Sequence, residues 1–349
     1  MKLNFKLLKR ISEIPGTSGF EKEIRNLILS EIKGYTNDIS IDNMGNIIAK
    51  ISGVENKKVM VAAHMDEIGF IVNHIDESGF VRFLPLGGFD PKTLTSQRVI
   101  VHGKKNLIGV MGSKPIHIMK PDERKKNVEI SDFFIDLGMS KKEVEKFIEV
   151  GNPITREREL IEMGNCVNGK SLDNRIAVYI LIETIKNLKG KKLPFDFYAT
   201  FTVQEEVGIR GAQVAALAIN PDFGFGLDTT IAYDVPGSVP HEAVTSLGEG
   251  VAIKIMDSSA IADYRMVDYM KKIASENKIK WQPELLPAGG TDTANVQRMN
   301  GGGAITGAIS IPTRHIHSVI ETINKKDIIE SIKLLEACLL NLNTYNWSF

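Results

Sequence analysis

The chain has 349 residues, 43% of them hydrophobic, and its Lys plus Arg and Asp plus Glu counts are equal at 43 each. This length suffices for one large domain or two ordinary ones, with a sizeable buried core. A formal net charge of zero argues against a general phosphate-backbone binder, which needs a basic surplus on one face. We therefore expect no nucleic-acid partner.

The composition also predicts a cytoplasmic protein with no membrane partner. The opening "MKLNFKLLKRISEIPG" alternates apolar and basic residues, and it lacks the apolar core and cleavage site of a signal peptide. The longest mid-chain apolar run, "IAVYILI", is far short of the roughly 20 residues that span a bilayer. The only cysteines, Cys166 and Cys338, are too few for a disulfide framework.

The first 69 residues predict two helices, a hairpin and a buried strand. Apolar residues from Leu3 to Ile11 follow helical spacing, and Ser18 with Glu21 predicts a capping box for the second helix. "DISIDNMGNIIAKI" is typical of a hairpin with Gly at the bend. "KVMVAAHMDEIGF" is a continuous apolar run, as expected for a strand that is covered on both faces.

The middle of the chain predicts an inserted β-rich domain over residues 70–162. Short alternating segments with Gly turns, from "FIVNHIDESGFVRFLPLGG" to "NLIGVMG", indicate a small β-barrel or sandwich. "PIHIMKPDERKKN", which contains His117, is typical of a surface loop, and "SKKEVEKFIEVGNPI" predicts a brief helix.

After about Glu162, strands and helices alternate up to a final amphipathic helix from Lys325 to about Leu342. This rhythm predicts an α/β fold in which a mostly parallel sheet lies between helices. Residues 1–69 and 163–349 would together form this larger, catalytic domain, which the β-rich insertion interrupts.

Ionisable residues follow the apolar strands of this predicted domain. Ligands of an open α/β sheet bind outside the carboxyl ends of its strands, so these side chains are expected to converge. Asp173 stands at the start of a helix, within "GKSLDNR". The residues at or after strand ends are His64 and Asp66 in "VMVAAHMD", Glu205 and Glu206 in "ATFTVQEE", Asp228 in "FGFGLD" and His317 in "AISIPTRHIH".

Such a cluster predicts a site for two divalent metal ions. Converging carboxylates need positive charge to offset their repulsion and lost hydration. Mixed His and carboxylate ligands suit Zn²⁺ or Co²⁺, with Mn²⁺ as a further candidate. A pair of such ions, bridged by one carboxylate, polarises a substrate carbonyl and acidifies a shared water.

A metal site explains why two glutamates stand next to each other after a buried strand. Neighbouring residues of a strand point to opposite faces, so Glu205 and Glu206 can share one site only where the strand stops and turns. Gly208 permits that turn. One carboxylate can then bind metal while the other takes a proton from water, and Asp66 can orient the His64 ring.

Six segments together carry a resemblance to a known family. "AHMDEIGF", "SLDNR", "VQEEVGIRGA", "GLDTT", "LPAGGTD" and "IPTRHIHS" resemble the motifs of the TET metallo-aminopeptidases, which form tetrahedral complexes and include glutamyl and leucyl aminopeptidases. The similarity runs nearly end to end. It implies a zinc-peptidase-like α/β domain with an inserted β domain that makes dimer contacts. It also implies release of N-terminal amino acids from peptides, and twelve subunits in a hollow tetrahedral particle.

The resemblance also implies a role for each site residue. His64 and Asp228 would bind one ion, Glu206 and His317 the other, and Asp173 would bridge both. Glu205 would be the general base, and Asp66 would steady His64. One departure is His315, where the family usually has Tyr, although the "HS" context favours His317 as the ligand.

Two other functions remain open from the sequence. A deacylase or carboxypeptidase could use the same ion pair on another amide, and a non-catalytic assembly subunit could keep the fold. Some relatives have carried a cellulase label, but the chain shows no sugar-binding aromatic platform. No motif of the chain specifies a side-chain preference, and neutral or apolar N-terminal residues are the expectation.

Overall fold

The computed structural model describes residues 2–36 and 38–349, so Met1 and Asn37 lie outside the described residues. The α-helices are α1 (Phe5–Glu13), α2 (Lys22–Ile32), α3 (Lys141–Val144), α4 (Leu172–Leu188), α5 (Arg210–Ile219), α6 (Tyr264–Glu276), α7 (Thr293–Arg298) and α8 (Lys325–Asn341). The strands are β1 (Asp38–Ile41), β2 (Ile47–Ile51), β3 (Gly53–His64), β4 (Gly69–Ile75), β5 (Val81–Leu86), β6 (Arg98–His102), β7 (Asn106–Gly112), β8 (Phe134–Asp136), β9 (Pro153–Arg156), β10 (Ile161–Met163), β11 (Cys166–Gly169), β12 (Leu193–Thr202), β13 (Phe223–Ile231), β14 (Val251–Met256), β15 (Trp281–Leu285), β16 (Ile305–Thr313) and β17 (Glu321–Asn324).

An eight-stranded sheet forms the centre of the fold, in the order β1-β2-β12-β3-β13-β16-β14-β15. The four central strands β12, β3, β13 and β16 run parallel, so their carboxyl ends meet at one edge. The pairs β1–β2, β2–β12 and β14–β16 are antiparallel. The predicted α/β class with a mostly parallel sheet is therefore confirmed.

Helices cover both faces of this sheet, as the apolar runs predict. Successive side chains of β3 point to opposite faces of the sheet, so they pack in two different hydrophobic cores. Val59, Val61 and Ala63 pack in the larger core, which helices α1, α2, α4, α6 and α8 share. Met60 and Ala62 pack on the other face against α5 and α7.

A closed barrel in the order β4-β5-β8-β7-β6-β9 interrupts the larger sheet. It has its own core, which includes Phe70, Val99 and Ile135. A third, three-stranded sheet, β10-β11-β17, follows the barrel and pairs Gly169 with Glu321. The barrel alternative of the sequence analysis is thus the one observed.

Three local predictions differ from the structure. The capping box is wrong: Glu21 is the N-cap of α2 without a side-chain cap, and its Oε1 accepts from the backbone N–H groups of Gly19 and Gln204. Ser18 donates instead to Asp66, at 2.6 Å. Strand β12 ends at Thr202, before the two glutamates. Strand β15 was not predicted, because Pro283 interrupts its short apolar pattern.

In the described part of the chain, no helix combines the length and apolar character that crossing a membrane requires.

Candidate active site

The predicted site residues converge at the carboxyl edge of the parallel strands. His64 is the last residue of β3, and Asp228 lies within β13. Asp173 stands at the start of α4, where its backbone departs from helical geometry (φ −78°, ψ 109°). Glu205 and Glu206 lie in the loop after β12, and His317 lies in the segment after β16.

These side chains form two donor groups that share Asp173. Nε2 of His64 lies 3.5 Å from Oδ1 of Asp173 and 3.6 Å from Oδ1 of Asp228. Nε2 of His317 lies 3.4 Å from Oδ2 of Asp173 and 3.4 Å from Oε2 of Glu206. In each group the possible ligand atoms lie within 4.8 Å of one another. The two oxygens of Asp173 therefore face different groups, which is the arrangement of a bridging carboxylate.

A tight loop presents the two glutamates. Gln204 and Ile209 have left-handed backbone angles (φ 54° and 56°), and Gly208 has φ 126°. The carbonyl of Glu205 accepts from the N–H groups of Gly208 and Ile209, so the chain reverses directly after the carboxylates. Gly208 takes a conformation that side chains rarely adopt, in agreement with the turn expected there.

The carboxylate of Asp66 holds this loop in place. It accepts from the backbone N–H of Glu205 at 3.0 Å, from the N–H of Glu206 at 3.2 Å and from the Ser18 hydroxyl at 2.6 Å. Nδ1 of His64 lies 3.2 Å from the backbone carbonyl of Asp66 and 3.4 Å from its Oδ1. Asp66 therefore contacts both the histidine and the glutamate loop.

The two imidazoles balance part of the negative charge of the buried carboxylates in this cluster. Burial, then the charges of Asp228 and Glu206, raises the pKa of Glu205 well above its usual range, although His64 opposes this. Burial opposes protonation of His317, but Asp173 and Glu206 outweigh it and raise its pKa to about 11. The carboxylates thus draw protons onto the imidazoles. Bound cations would balance the same negative charge.

The side chain of Glu206 shows whether the site suits a metal ion. Its Oε1 is buried and has no hydrogen-bond partner among the described residues, while Oε2 faces His317. A buried carboxylate oxygen without a partner is costly unless a cation or water fills the place. The donor set, two imidazoles and three carboxylates, suits divalent transition metals. The residues present therefore fit metal ions.

A cleft of about 450 Å³ opens over these residues. Its wall includes apolar side chains at or after strand ends, among them Ile209, Ile231 and Leu286. Lys254 also lines it, and its Nζ lies 3.0 Å from Asp257 and 3.3 Å from Glu284. This cation is thus paired within the protein.

The histidines that the sequence left open lie elsewhere. His315 is exposed and belongs to neither donor group, so His317 is the histidine that meets Asp173 and Glu206. His117 is exposed on the barrel loop.

Sequence reasoning missed several buried polar residues around the site. Asp292 accepts from Thr202, and burial raises its pKa to about 7. Glu321 and Arg156 contact the segment that carries His317. Asp292 ends the "LPAGGTD" motif, but no role was predicted for it. Glu321 and Arg156 follow no predicted strand as part of a cluster, so only the "HSVIE" spacing of Glu321 from His317 could have drawn attention to either of them.

A family model described as M42 glutamyl aminopeptidase matches residues 45–334. The chain belongs to the M42 aminopeptidase family. The predicted family and aminopeptidase class are thereby confirmed, and members of this family are metal-dependent hydrolases.

Relatives of this M42 chain span its whole length. A protein of Acetivibrio thermocellus is 40% identical over 332 residues, which covers 95% of this chain and 97% of that protein. The lysyl aminopeptidase of Pyrococcus furiosus is 33% identical and covers 99% of each chain. The glutamyl aminopeptidase of Lactococcus lactis is also 33% identical, with 97% coverage of each.

Solved structures of the family share the fold. The TET aminopeptidase of a marine sediment thaumarchaeote superposes with a TM-score of 0.94 at 37% identity, over 97% of this chain and 96% of that chain. The TET1 peptidase of Pyrococcus horikoshii, which can assemble into a tetrahedron or a large octahedral shell, gives a TM-score of 0.87 at 32% identity. That match covers 96% of this chain and 99% of the other.

Proposed function

We propose that this chain removes N-terminal amino acids from peptides with two divalent ions, of Zn²⁺, Co²⁺ or Mn²⁺, and with Glu205 as general base. The observation that carries the proposal is the pair of donor groups that meet at Asp173, with Glu205 beside them. His64, Asp173 and Asp228 would hold one ion, and Asp173, Glu206 and His317 the other.

The ions, when bound, would polarise the scissile carbonyl and lower the pKa of the attacking water. The protein's own contribution is to place a proton carrier beside that water. Oε2 of Glu205 lies 3.8 Å from Nε2 of His64, so its carboxylate lies beside the donor group of His64 and also lines the cleft. Because Asp66 fixes the Glu205 backbone, this carboxylate can accept a proton from water and deliver it to the leaving amine.

The wall of the cleft supports a preference for neutral or apolar N-terminal residues. Ile231 and Leu286 contribute apolar surface, and Lys254 is already paired with Asp257 and Glu284. A glutamyl side chain would therefore meet no free cation there. The lysyl and glutamyl relatives are equally identical to this chain, so their names do not decide its preference.

The experiment that tests the function compares amino-acyl p-nitroanilides with a free or an N-acetylated amino group, in the presence of Zn²⁺ or Co²⁺. We expect hydrolysis of leucyl p-nitroanilide and none of its N-acetylated counterpart. Hydrolysis of N-acetylated amino acids alone would replace the proposal with a deacylase. Cleavage of N-blocked peptides at their free C-terminus alone, in a parallel assay, would replace it with a carboxypeptidase. An inert, metal-loaded protein would point to a non-catalytic assembly subunit.

The same panel tests side-chain preference with one isosteric pair. Glutaminyl and glutamyl p-nitroanilides differ mainly in charge, and we expect kcat/KM to favour the glutaminyl substrate by roughly 10–200-fold. The reason is that the paired Lys254 leaves a buried glutamate charge without a partner. Equal rates on the pair, or faster cleavage of the glutamyl substrate, would refute the neutral preference.

We further propose that copies of the chain pair through residues 70–162 and assemble in the cytoplasm into a tetrahedral dodecamer. The shell of the Pyrococcus horikoshii neighbour supports the assembly. Exposed apolar side chains on the barrel, namely Leu84, Ile108 and Val110, support its role as a dimer surface. Light scattering would detect a particle of twelve chain masses.

A further inference from the structure

A buried carboxylate, Glu321, lies behind one half of the candidate metal site. It is the first residue of β17 and only 1% exposed. Its Oε2 accepts from the backbone N–H of Asp173 at 2.9 Å, and its Oε1 accepts from the backbone N–H of His317 at 2.9 Å. One side chain therefore fixes the main chain of two residues that belong to the same donor group.

His317 needs such support because its backbone is left-handed, with φ 61°. This conformation is unfavourable for a residue other than glycine, and it persists only where the surroundings impose it. Glu321 accepts from the N–H of His317, and Nη1 of Arg156 donates to its carbonyl at 3.1 Å. The peptide groups on both sides of this residue are thus held.

Arg156 links this support to the barrel. It is the last residue of β9, is 1% exposed, and lies over the Phe89 ring at 5.5 Å. Burial lowers its pKa, and Glu321 is the carboxylate that most opposes this shift. Arg156 thus ties the segment that carries His317 to the barrel.

We propose that Glu321 is a positioning residue for the ion that Asp173, Glu206 and His317 would hold, with Arg156 holding the His317 carbonyl from the barrel. This inference rests on the two-ion function proposed above. The corresponding support for the glutamate loop comes from Asp66, which binds the backbone of Glu205 and Glu206 in the same manner. The glutamate loop and the segment of His317 are thus each held by a buried carboxylate.

The test is a calorimetric titration of Zn²⁺ into the metal-free full-length chain, with chelator competition. In Glu321→Gln, the amide offers one oxygen and one NH₂ group, so one of the two backbone N–H groups loses its acceptor. We expect one ion to bind about 10–100-fold more weakly than in the parent, and the other to bind unchanged. Glu321→Asp retains the charge but is too short to reach both N–H groups, and we expect the same selective loss.

Asp327→Asn is the matched control. Asp327 is also a buried carboxylate that accepts from two backbone N–H groups, those of Gly248 at 2.7 Å and Gly250 at 3.0 Å, but it contacts no residue of the donor groups. Its substitution should lower thermal stability and leave both Zn²⁺ affinities as they are.

The outcomes separate this inference from the function on which it rests. If the parent chain binds fewer than two ions, the two-ion function fails. If the parent binds two and both Glu321 variants bind them normally, only the positioning role is overturned. A third outcome is that Glu321→Gln binds both Zn²⁺ ions equally weakly while Glu321→Asp binds them as the parent does. The effect would then come from the charge of Glu321, and the positioning role would also be overturned. Should Glu321→Gln not fold, Glu321→Asp alone decides by the same criterion.

Discussion

Replacement of Glu205 by Gln should lower kcat by about 10²–10⁴-fold, the range that a general acid–base residue contributes. The amide cannot accept a proton from water, whereas its size preserves the shape of the site. The backbone N–H of residue 205 would still donate to Asp66, so the loop should keep its position. Both metal ions should remain bound, because Glu205 belongs to neither donor group. Steady-state kinetics with parallel elemental analysis measure the two quantities.

Glu162→Gln serves as the control for this variant, since Glu162 is an exposed glutamate on β10. It should hydrolyse leucyl p-nitroanilide at the parental rate. A Glu205→Gln protein with parental kcat and full metal content would remove Glu205 from the chemistry. Loss of metal from the same variant would instead make Glu205 a ligand.

Replacement of Asp173 by Asn should weaken both ions and abolish measurable hydrolysis. Asp173 is the one residue that the two donor groups share, and each of its oxygens faces a different histidine. Ligand binding stabilises a fold by about 2.7 kcal/mol at 100 times the Kd, so the parent should melt at a higher temperature with Zn²⁺. That increase should vanish in Asp173→Asn. Thermal melts with and without Zn²⁺, with elemental analysis after dialysis, measure these effects.

Asp228→Asn gives a matched comparison, because Asp228 contacts only the His64 group. We expect it to lose one ion and to keep part of the thermal shift. If Asp173→Asn retains one tightly bound ion, as we expect for Asp228→Asn, Asp173 does not bridge the two ions.

The central fold was readable from sequence because its signals are local. The continuous apolar run before His64 indicated a strand buried on both faces, and β3 indeed supplies residues to two cores. The regular alternation of strands and helices then predicted the parallel sheet, and strand ends predicted where ionisable groups meet. This rule brings four separate segments to one edge, and Asp173 joins them from the start of a helix.

What the sequence did not reveal depends on contacts between distant segments. Ser18 and Glu21 have the spacing of a capping box, but Asp66 and Gln204 offer them stronger partners in the folded chain. Glu321 on β17 and Arg156 on β9 both bind the backbone of His317, although these two residues lie 165 positions apart in sequence. No periodic pattern records such contacts. Strand β15 was missed because Pro283 within a short run argues against a strand, except at a sheet edge.

That edge position has a consequence for the behaviour of the protein at high concentration. Strand β15 closes one side of the central sheet, and the four-residue strand β1 closes the other. Pro283 has no N–H to offer to an incoming strand, and a very short, largely exposed β1 gives little template for pairing. The barrel strands close on themselves. Growth of the central sheet by strand addition, the route to fibrous aggregates, is therefore disfavoured on both sides.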